Sequence, residues 1–198
     1  MTIDTNDIIN SILESISRID YIRPGDVPNI PLYMDQVTTF MDAQLAASKR
    51  YESDKILTKT MINNYTKNNL LPPPDKKKYS TEHILLLIFI YYFKSILSIN
   101  DIQSLLRPIT DKCFHEGDGI SLTEIYNEVF SLEKSEIESM KEDVRKYYQT
   151  SAETFTDAPE EEQSFLQLFS FICLLSFDVY VKKQIIENLI DLFPSEKK

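Results

Sequence analysis

The sequence of 198 residues predicts an all-α fold. Three observations support this fold class. Only three glycines occur, whereas hairpins and sheet turns usually draw on many. Apolar residues recur at helical spacing through most of the chain. Prolines and capping boxes stand between these apolar runs, where helices are expected to end and begin.

The N-terminal helices follow from this spacing. Apolar residues from Ile8 to Ile19 form one face of a first helix, and the prolines of residues 24–31 mark a linker after it. A second predicted helix covers 33–47 and includes Tyr33 in its apolar face. No convincing strand emerges, and the only β candidate is a short extended arm around 71–80.

A short third helix is predicted over 58–68, with Thr58 as its N-cap. The apolar side chains expected to face inward are Leu57, Met61, Ile62 and Tyr65. Residues 84–93, "ILLLIFIYYF", are apolar nearly all round, so the helix that contains them should be central and covered on most sides.

The C-terminal half also carries helix boundary signals. Three capping boxes predict helix starts, namely Ser98 with Asp101, Ser121 with Glu124, and Ser135 with Glu138. Pro108 is expected to end one helix, and Pro159 to open the last helical region, 163–193, which is read as one or two helices. We therefore divide the chain into an N-terminal helix and linker (1–29), a helical domain (30–107) and a C-terminal helical domain (108–198).

Composition narrows the functional class. No glycine pattern matches a P-loop or a dinucleotide-binding loop, and two cysteines are too few for a disulfide framework. The N-terminus opens with acidic residues where a signal peptide needs basic ones. The longest uncharged apolar stretch, 163–177, is shorter than the ~18–20 residues that cross a bilayer. We expect a soluble, cytoplasmic protein without a membrane partner.

Charge is distributed unevenly along the chain, whose net charge is −10. Residues 55–94 hold seven lysines against two acidic residues, which gives +5, while the remainder carries −15. Screening limits each charge to about 8–10 Å in physiological salt, so a local cationic surface can bind a polyanion despite the acidic total.

The polar face of the 58–68 helix consists of side chains that suit a DNA groove. Asn can pair bidentately with adenine, Thr can contact a base edge, and Lys can reach phosphate or guanine. The candidate DNA-contacting residues on this helix are Thr58, Lys59, Thr60, Asn63, Asn64 and Lys67. The alternative is that these residues simply solvate an exposed helix face, as polar helix faces usually do.

The order of features in "LTKTMINNYTKNNLLPPPDKKKYSTEHILLLIFI" resembles the DNA-binding module of the MerR-type regulators. In that family a recognition helix is followed by a Gly-Leu-Leu-Pro-like exit, a basic wing, a tyrosine and another helix start. Here Tyr65 matches the family's aromatic residue and Asn69 stands at the exit glycine. Lys76, Lys77 and Lys78 take the wing, and Tyr79 closes it. The resemblance covers about 57–106.

Over a longer span, from "IPLYMDQVTTF" through "SINDIQSLL", the chain is similar to a family of uncharacterised bacterial proteins catalogued as domain of unknown function 1836. The two resemblances imply a MerR-like helix-turn-helix or degenerate winged-helix unit, and the helical spacing after it predicts a C-terminal helical bundle. The resemblances imply a transcriptional regulator that binds double-stranded DNA, with Lys76, Lys77, Lys78 and Tyr79 touching the DNA backbone. Because groove-reading helices commonly work as two-fold pairs, we expect a homodimer.

Other candidate sites are weaker. Residues 111–119, "DKCFHEGDG", place Cys113 near His115, but a zinc site needs four ligands at recognised spacing, so we expect an interhelical loop and no metal or other cofactor. His83 stands at a helix start, where a capping or surface role is expected. No constellation of residues indicates an enzyme.

Two further features concern assembly. The aromatic residues Phe165, Phe169, Phe171, Phe177 and Tyr180 are expected to pack into a core, with a ligand pocket or a dimer interface as alternatives. A seam from Ile137 to Tyr147 is a second candidate for the dimer interface. The acidic composition keeps open a different function, that of a protein-interaction module that retains the fold without binding DNA.

Overall fold

A computed structural model describes residues 5–16, 22–114 and 119–193. The fold is mostly helical, and the chain forms two compact units, one that runs up to Ser131 and one that begins at Leu132. The predicted boundary between 107 and 108 therefore does not coincide with the division between the units. In chain order the elements are α1 (Thr5–Ile16), β1 (Leu32–Tyr33), α2 (Met34–Gln44), α3 (Lys59–Lys67), β2 (Lys78–Tyr79), α4 (Thr81–Phe93), α5 (Ile99–Cys113), α6 (Leu122–Ala152) and α7 (Glu160–Ile190).

Helix α4 is the centre of the first unit, as its all-round apolar sequence predicts. Every residue from His83 to Ile90 is buried. Ser80 caps the helix, because its backbone N–H donates to Nδ1 of His83 over 3.0 Å. His83 therefore has the predicted capping role, but it is buried and not on the surface, with its ring edge-on to Tyr79 and Phe114.

Strand β2 lies within the extended arm around 71–80 that was the only β candidate, whereas β1 was not predicted. They pair antiparallel, with Leu32 opposite Tyr79 and Tyr33 opposite Lys78. The prediction that Tyr33 belongs to the apolar face of the second helix is wrong, since Tyr33 lies in β1 and is 53% exposed. Helix α2 begins one residue later, where the backbone N–H of Tyr33 donates to the Gln36 side chain over 2.8 Å. A strand of two residues is too short to carry an alternation signal.

Helix boundaries after α4 were predicted in part. The capping boxes at Ser98 and Ser121 are confirmed by their hydrogen bonds to Asp101 and Glu124. The helix start at Ser135 is wrong, because α6 runs through that position without a break. Pro108 does not end a helix either, since it lies inside α5. Helix α6 begins in the first unit and ends in the second.

The start of α6 is fixed by a buried aromatic cluster. Tyr126 is fully buried, and its hydroxyl donates to the carbonyl oxygen of Ile22 over 2.6 Å. Its ring lies 5.5 Å from that of Phe89 in α4 and 4.2 Å from that of Phe130. Burial raises the pKa of the Tyr126 hydroxyl, because the ionised form would lose its hydration.

The second unit is an antiparallel pair of helices, formed by the later part of α6 and by α7. The Gln167 side chain donates to the carbonyl oxygen of Ala152 over 2.8 Å near the connection. Further along, Phe171 packs edge-on against Tyr148 with the ring centroids 5.5 Å apart. Pro159 opens α7 as expected, from the N-cap position. Region 163–193 therefore holds one long helix.

The prediction that the aromatic residues of α7 pack into a core is wrong for four of the five. Phe171 is buried, but Phe165, Phe169, Phe177 and Tyr180 are between 53% and 68% exposed. The physical reason is that α7 is apolar on several sides, and its single partner within the unit covers one of them. By length and composition alone, α7 is the one helix within the described residues that could cross a membrane.

Candidate nucleic-acid interface

Helix α3 forms as predicted and presents one polar side. Thr58 is its N-cap, and the Thr58 hydroxyl oxygen accepts from the backbone N–H of Met61 over 3.2 Å. Ile62 and Tyr65 are buried beneath the helix, and burial raises the pKa of the Tyr65 hydroxyl. The inward apolar face therefore fixes the orientation of α3 and leaves its polar face in solvent.

The outward side chains of α3 are exposed. They are Lys59, Thr60, Asn63, Asn64 and Lys67, all of them predicted site residues. Thr58 is only partly exposed, and its hydroxyl is already used as the helix cap. The accessible part of the predicted helix surface is therefore one amide pair flanked by a threonine and two lysines.

The exit from α3 turns sharply at Asn69, which the sequence comparison placed at the family's glycine. Asn69 has φ of 54°, in the left-handed region that asparagine tolerates better than most residues. The backbone N–H of Leu70 donates to the carbonyl oxygen of Tyr65, and that of Asn69 to Thr66. This pair of hydrogen bonds is a Schellman motif, and it ends the helix before the three prolines.

The three lysines of the predicted wing lie on a tight turn over 75–78. The backbone N–H of Lys78 donates to the carbonyl oxygen of Asp75 over 2.8 Å. Lys76 and Lys77 have φ of 46° and 65°, the signature of a type I′ turn. Asn and Gly usually fill such positions, and a left-handed lysine costs about 1–2 kcal/mol. All three lysines are exposed.

Helix α3 and the lysine turn each contact the N-terminus of α2. Lys59, at the start of α3, forms an ion pair with Asp35 in the first turn of α2. The Lys78 ammonium lies 5.2 Å from the centre of the Tyr33 ring. Tyr33 and Asp35 are two residues apart in the chain, so both cations flank the N-terminus of α2. We call α3's exposed side chains and the lysine turn together the cationic surface.

Two residues of the 55–94 stretch are less accessible than the lysine turn. Tyr79, expected to touch the DNA backbone, is 3% exposed and belongs to the core beside His83, so we remove it from the candidate site. Lys94 is half-buried, and its ammonium donates to the carbonyl oxygen of Ile56 over 2.7 Å. Burial lowers the pKa of Lys94. Lys94 lies only four residues after the buried run of α4, and this position in the sequence indicates its partial burial.

Asp35 and Tyr33 are neighbours of the cationic surface that the sequence did not reveal. Asp35 is 75% exposed and places a negative charge beside Lys59. The acidic first turn of α2 is visible in the sequence, but only the packing of α2 against α3 places it next to a lysine. The surface is therefore less positive at the start of α3 than at the lysine turn.

Metal and nucleophile candidates gain no support. Among the described residues, no group of three His, Cys, Asp or Glu side chains is arranged to hold a metal ion. Part of the predicted interhelical loop, 115–118, lies outside the described residues. Cys113 and Cys173 are free thiols, each partly exposed.

These features define a mostly helical protein in which a short polar helix and a lysine turn share one side of the first unit. The chain belongs to the family described as Domain of unknown function (DUF1836), whose profile matches residues 22–129. The match ends two residues before the first unit does, so it includes the start of α6, and the whole second unit lies outside it. No curated protein and no solved structure matches the chain.

Proposed function

We propose that the protein is a DNA-binding transcriptional regulator of the MerR-like type, which acts in the cytoplasm as a homodimer and has no catalytic activity. The observation that carries this proposal is the shared position of α3 and the lysine turn at the N-terminus of α2. A helix that enters a groove needs phosphate contacts beside it to fix its register. The cationic surface supplies both parts.

The residues of the cationic surface divide by chemistry. The amides of Asn63 and Asn64 suit hydrogen bonding to base edges, as adenine offers paired donor and acceptor atoms in the major groove. Lys67, Lys76 and Lys77 are exposed cations without a role in the core, which suits phosphate contacts. Under this proposal the lysine turn sets affinity and the asparagines set sequence preference.

The acidic total charge weakens association at long range but leaves local contacts intact. Charges beyond about one Debye length, 8–10 Å in physiological salt, are largely screened. Five lysines lie on the cationic surface, at positions 59, 67, 76, 77 and 78. The nearby acids include Asp35, paired with Lys59, Asp75 at the turn, and Glu82, which lines the same cavity as Lys76 and Lys78. We therefore propose a protein that binds at close range and is strongly salt-sensitive.

The double substitution Lys76→Asn with Lys77→Gly tests the lysine turn without loss of the fold. Asn-Gly is the preferred type I′ pair, so the variant removes two cations and relieves two left-handed lysines. We expect the free energy of unfolding to rise by about 1–2 kcal/mol. Affinity for duplex DNA should fall, and the slope of log K against log salt should become shallower by about 2.

A matched control removes two cations elsewhere. Arg145 and Lys146 are exposed on α6, in the second unit, and their double alanine variant changes the net charge equally. Wild-type DNA affinity in this control, together with weaker binding by the turn variant, supports the proposal. If both variants lost the same amount of DNA affinity, binding would depend on the total charge. If both variants kept the wild-type affinity, the lysine turn would not be part of the interface.

The role of α3 is tested through sequence preference. Asn63→Ala should change the sequences recovered in a selection from randomised duplexes, because an amide that reads a base edge contributes ~1–3 kcal/mol of discrimination. Lys67→Ala should lower affinity for all sequences alike. An unchanged preference in the Asn63 variant would refute base reading by this helix.

A second candidate function is a non-catalytic protein-interaction module. The observation that favours it is the exposed apolar side of α7, together with the net charge of −10. Under this alternative the cationic surface is ordinary solvated surface. The absence of any duplex shift at low salt, together with a stable partner protein, would decide for it.

A further inference from the structure

Helix α7 has an apolar side that the rest of the chain leaves in solvent. The exposed side chains on this side are Phe165, Leu168, Phe169, Ile172, Val179 and Tyr180, each between 41% and 68% exposed. Phe165, Ile172 and Val179 are seven residues apart, and two helical turns bring such residues back to nearly the same side. We call this set the α7 face.

Contacts with α6 are made by a different side of α7. Gln167, Phe171 and Asp178 meet α6 through hydrogen bonds and a ring contact. At 100° per residue these three positions lie between about 200° and 240° around the helix from Phe165. The α7 face is therefore additional to the α6–α7 packing.

The area of the α7 face is close to what a stable interface needs. Aromatic side chains offer 150–250 Å² each, so the six exposed fractions amount to roughly 600 Å² of apolar surface. Ordinary protein interfaces bury about 800 Å² on each partner. The polar flanks of the face supply the remainder, as interface rims do.

The charges at the two ends of the face specify the occupant. Glu160, Glu161 and Glu162 lie at the N-terminal end of α7, and Lys182 and Lys183 lie at the other end of the α7 face, where they pair within the helix with Asp178 and Glu187. An antiparallel second α7 would bring glutamates opposite lysines at both ends, whereas a parallel one would oppose like charges. We propose that a second copy of this chain covers the α7 face, with the two helices antiparallel and crossing at Ile172.

The residue register agrees with this two-fold axis. Glu161 and Lys183 are each eleven residues from Ile172, and Phe165 and Val179 are each seven residues from it. Large side chains therefore meet smaller ones across the interface, which allows them to interdigitate. Lys183 is bonded to Glu187 within its own helix over 3.6 Å but remains 41% exposed, so its ammonium can also reach the second copy.

A lipid surface fits the α7 face less well. Helix α6 is bonded to α7 through Tyr147, and it carries many charged side chains, among them Glu142, Asp143 and Arg145. Insertion of α7 into a bilayer would carry these charges towards hydrocarbon or break the helix pair. Two antiparallel α7 helices leave both copies of α6 on the outside of the pair, with their charged side chains in solvent.

The test is sedimentation equilibrium of the full chain without DNA. We expect a monomer–dimer equilibrium that Phe165→Glu weakens roughly tenfold or more, since a charge placed within an apolar interface is strongly unfavourable. Phe177→Glu is the matched control, because Phe177 is equally exposed, at 68%, but lies a third of a turn away from Phe165 and outside the face. Circular dichroism checks that both variants keep their helices.

Charge reversal tests the antiparallel register. Glu161→Lys or Lys183→Glu alone should weaken the dimer by roughly 2- to 5-fold, and the double variant should restore it.

Three results would each overturn the inference. They are a wild-type chain that stays monomeric, equal losses of dimer affinity in the two phenylalanine variants, and binding of the monomer to lipid vesicles. The inference rests on the proposed function only in that the dimer would be the form that binds DNA. Because the experiment contains no DNA, a failure to dimerise is distinguishable from a failure to bind DNA.

Discussion

Helices α4 and α7 both contain long apolar stretches, but their environments are opposite. In α4 every side chain from Ile84 to Ile90 is buried, although the helix has only 13 residues. In α7, with 31 residues, Phe171 and Ile190 are the buried ones. The two helices show that apolar composition determines the need for burial, while the neighbours that the fold supplies determine whether burial occurs.

The neighbours differ because the two units are built differently. Around α4 the first unit provides a strand pair, further helices and the aromatic cluster of Tyr126. The second unit is a pair of helices, and a pair can cover only one side of each member. The comparison predicts that α4 is essential for stability and that α7 is essential for assembly.

The largest expected effect is a difference in stability when the same substitution, isoleucine to alanine, is made in each of the two helices. Ile88→Ala in α4 should lower the free energy of unfolding by about 2–5 kcal/mol, because Ile88 is fully buried and leaves a cavity. Ile172→Ala in α7, where the side chain is 52% exposed, should change it by less than ~0.5 kcal/mol under monomeric conditions. Urea denaturation at low protein concentration measures both, and similar losses would contradict the comparison.

A smaller effect is expected at the aromatic cluster that covers α4. Tyr126→Phe keeps the ring but leaves the buried carbonyl oxygen of Ile22 without its donor. We expect a loss of about 1–3 kcal/mol in the free energy of unfolding. Tyr180→Phe, on the exposed side of α7, is the control and should be close to neutral. Equal behaviour of the two variants would mean that the buried hydroxyl contributes little.

On the exposed side of the first unit, Asp35→Asn should strengthen DNA binding. The substitution removes a negative charge beside Lys59 and leaves that lysine available to phosphate. Because exposed ion pairs contribute only ~0.2–1 kcal/mol, the expected gain is roughly 2- to 5-fold in affinity. Asp42→Asn, which removes the Lys49 partner on the same helix, serves as the control. Weaker binding by the Asp35 variant would contradict the location of the surface.

The smallest effect concerns alkaline pH. Burial raises the pKa of Tyr92 to about 12, with the neighbouring Tyr91 as a lesser cause, and also raises the pKa of Tyr126. The folded state therefore favours neutral tyrosines. Their contribution to stability is complete below about pH 10, where unfolded tyrosine ionises, and declines as the pH rises towards 12. Denaturation curves above pH 10 should show this decline, and Tyr92→Phe should make it shallower.

Local sequence signals predicted much of the fold and of the site. The Thr58 cap, the left-handed Asn69 and the exposed face of α3 depend on neighbouring residues, and each lies where the sequence placed it. The failures concern long-range packing. The pairing of β1 with β2, the ion pair between Lys59 and Asp35, and the burial of Tyr79 join residues far apart in the chain, which no local pattern encodes.

The aromatic residues of α7 show the same limit of local sequence patterns. Their helical spacing predicts an apolar face correctly. Spacing alone does not tell how many sides of the helix are covered by neighbouring elements. The continuous course of α6 through Ser135 is a related case, since a capping-box sequence can also occur inside a helix that packing holds together.

The most direct test of the central claim, that the cationic surface binds duplex DNA, is the salt dependence of wild-type binding to a random duplex. Five lysines on this surface predict a slope of log K against log salt of up to about −4.5 for each chain. A slope that is steep for the wild type and reduced by about 2 in the Lys76→Asn, Lys77→Gly variant is the predicted result. No binding at low salt, or binding whose slope is unchanged in that variant, would contradict it.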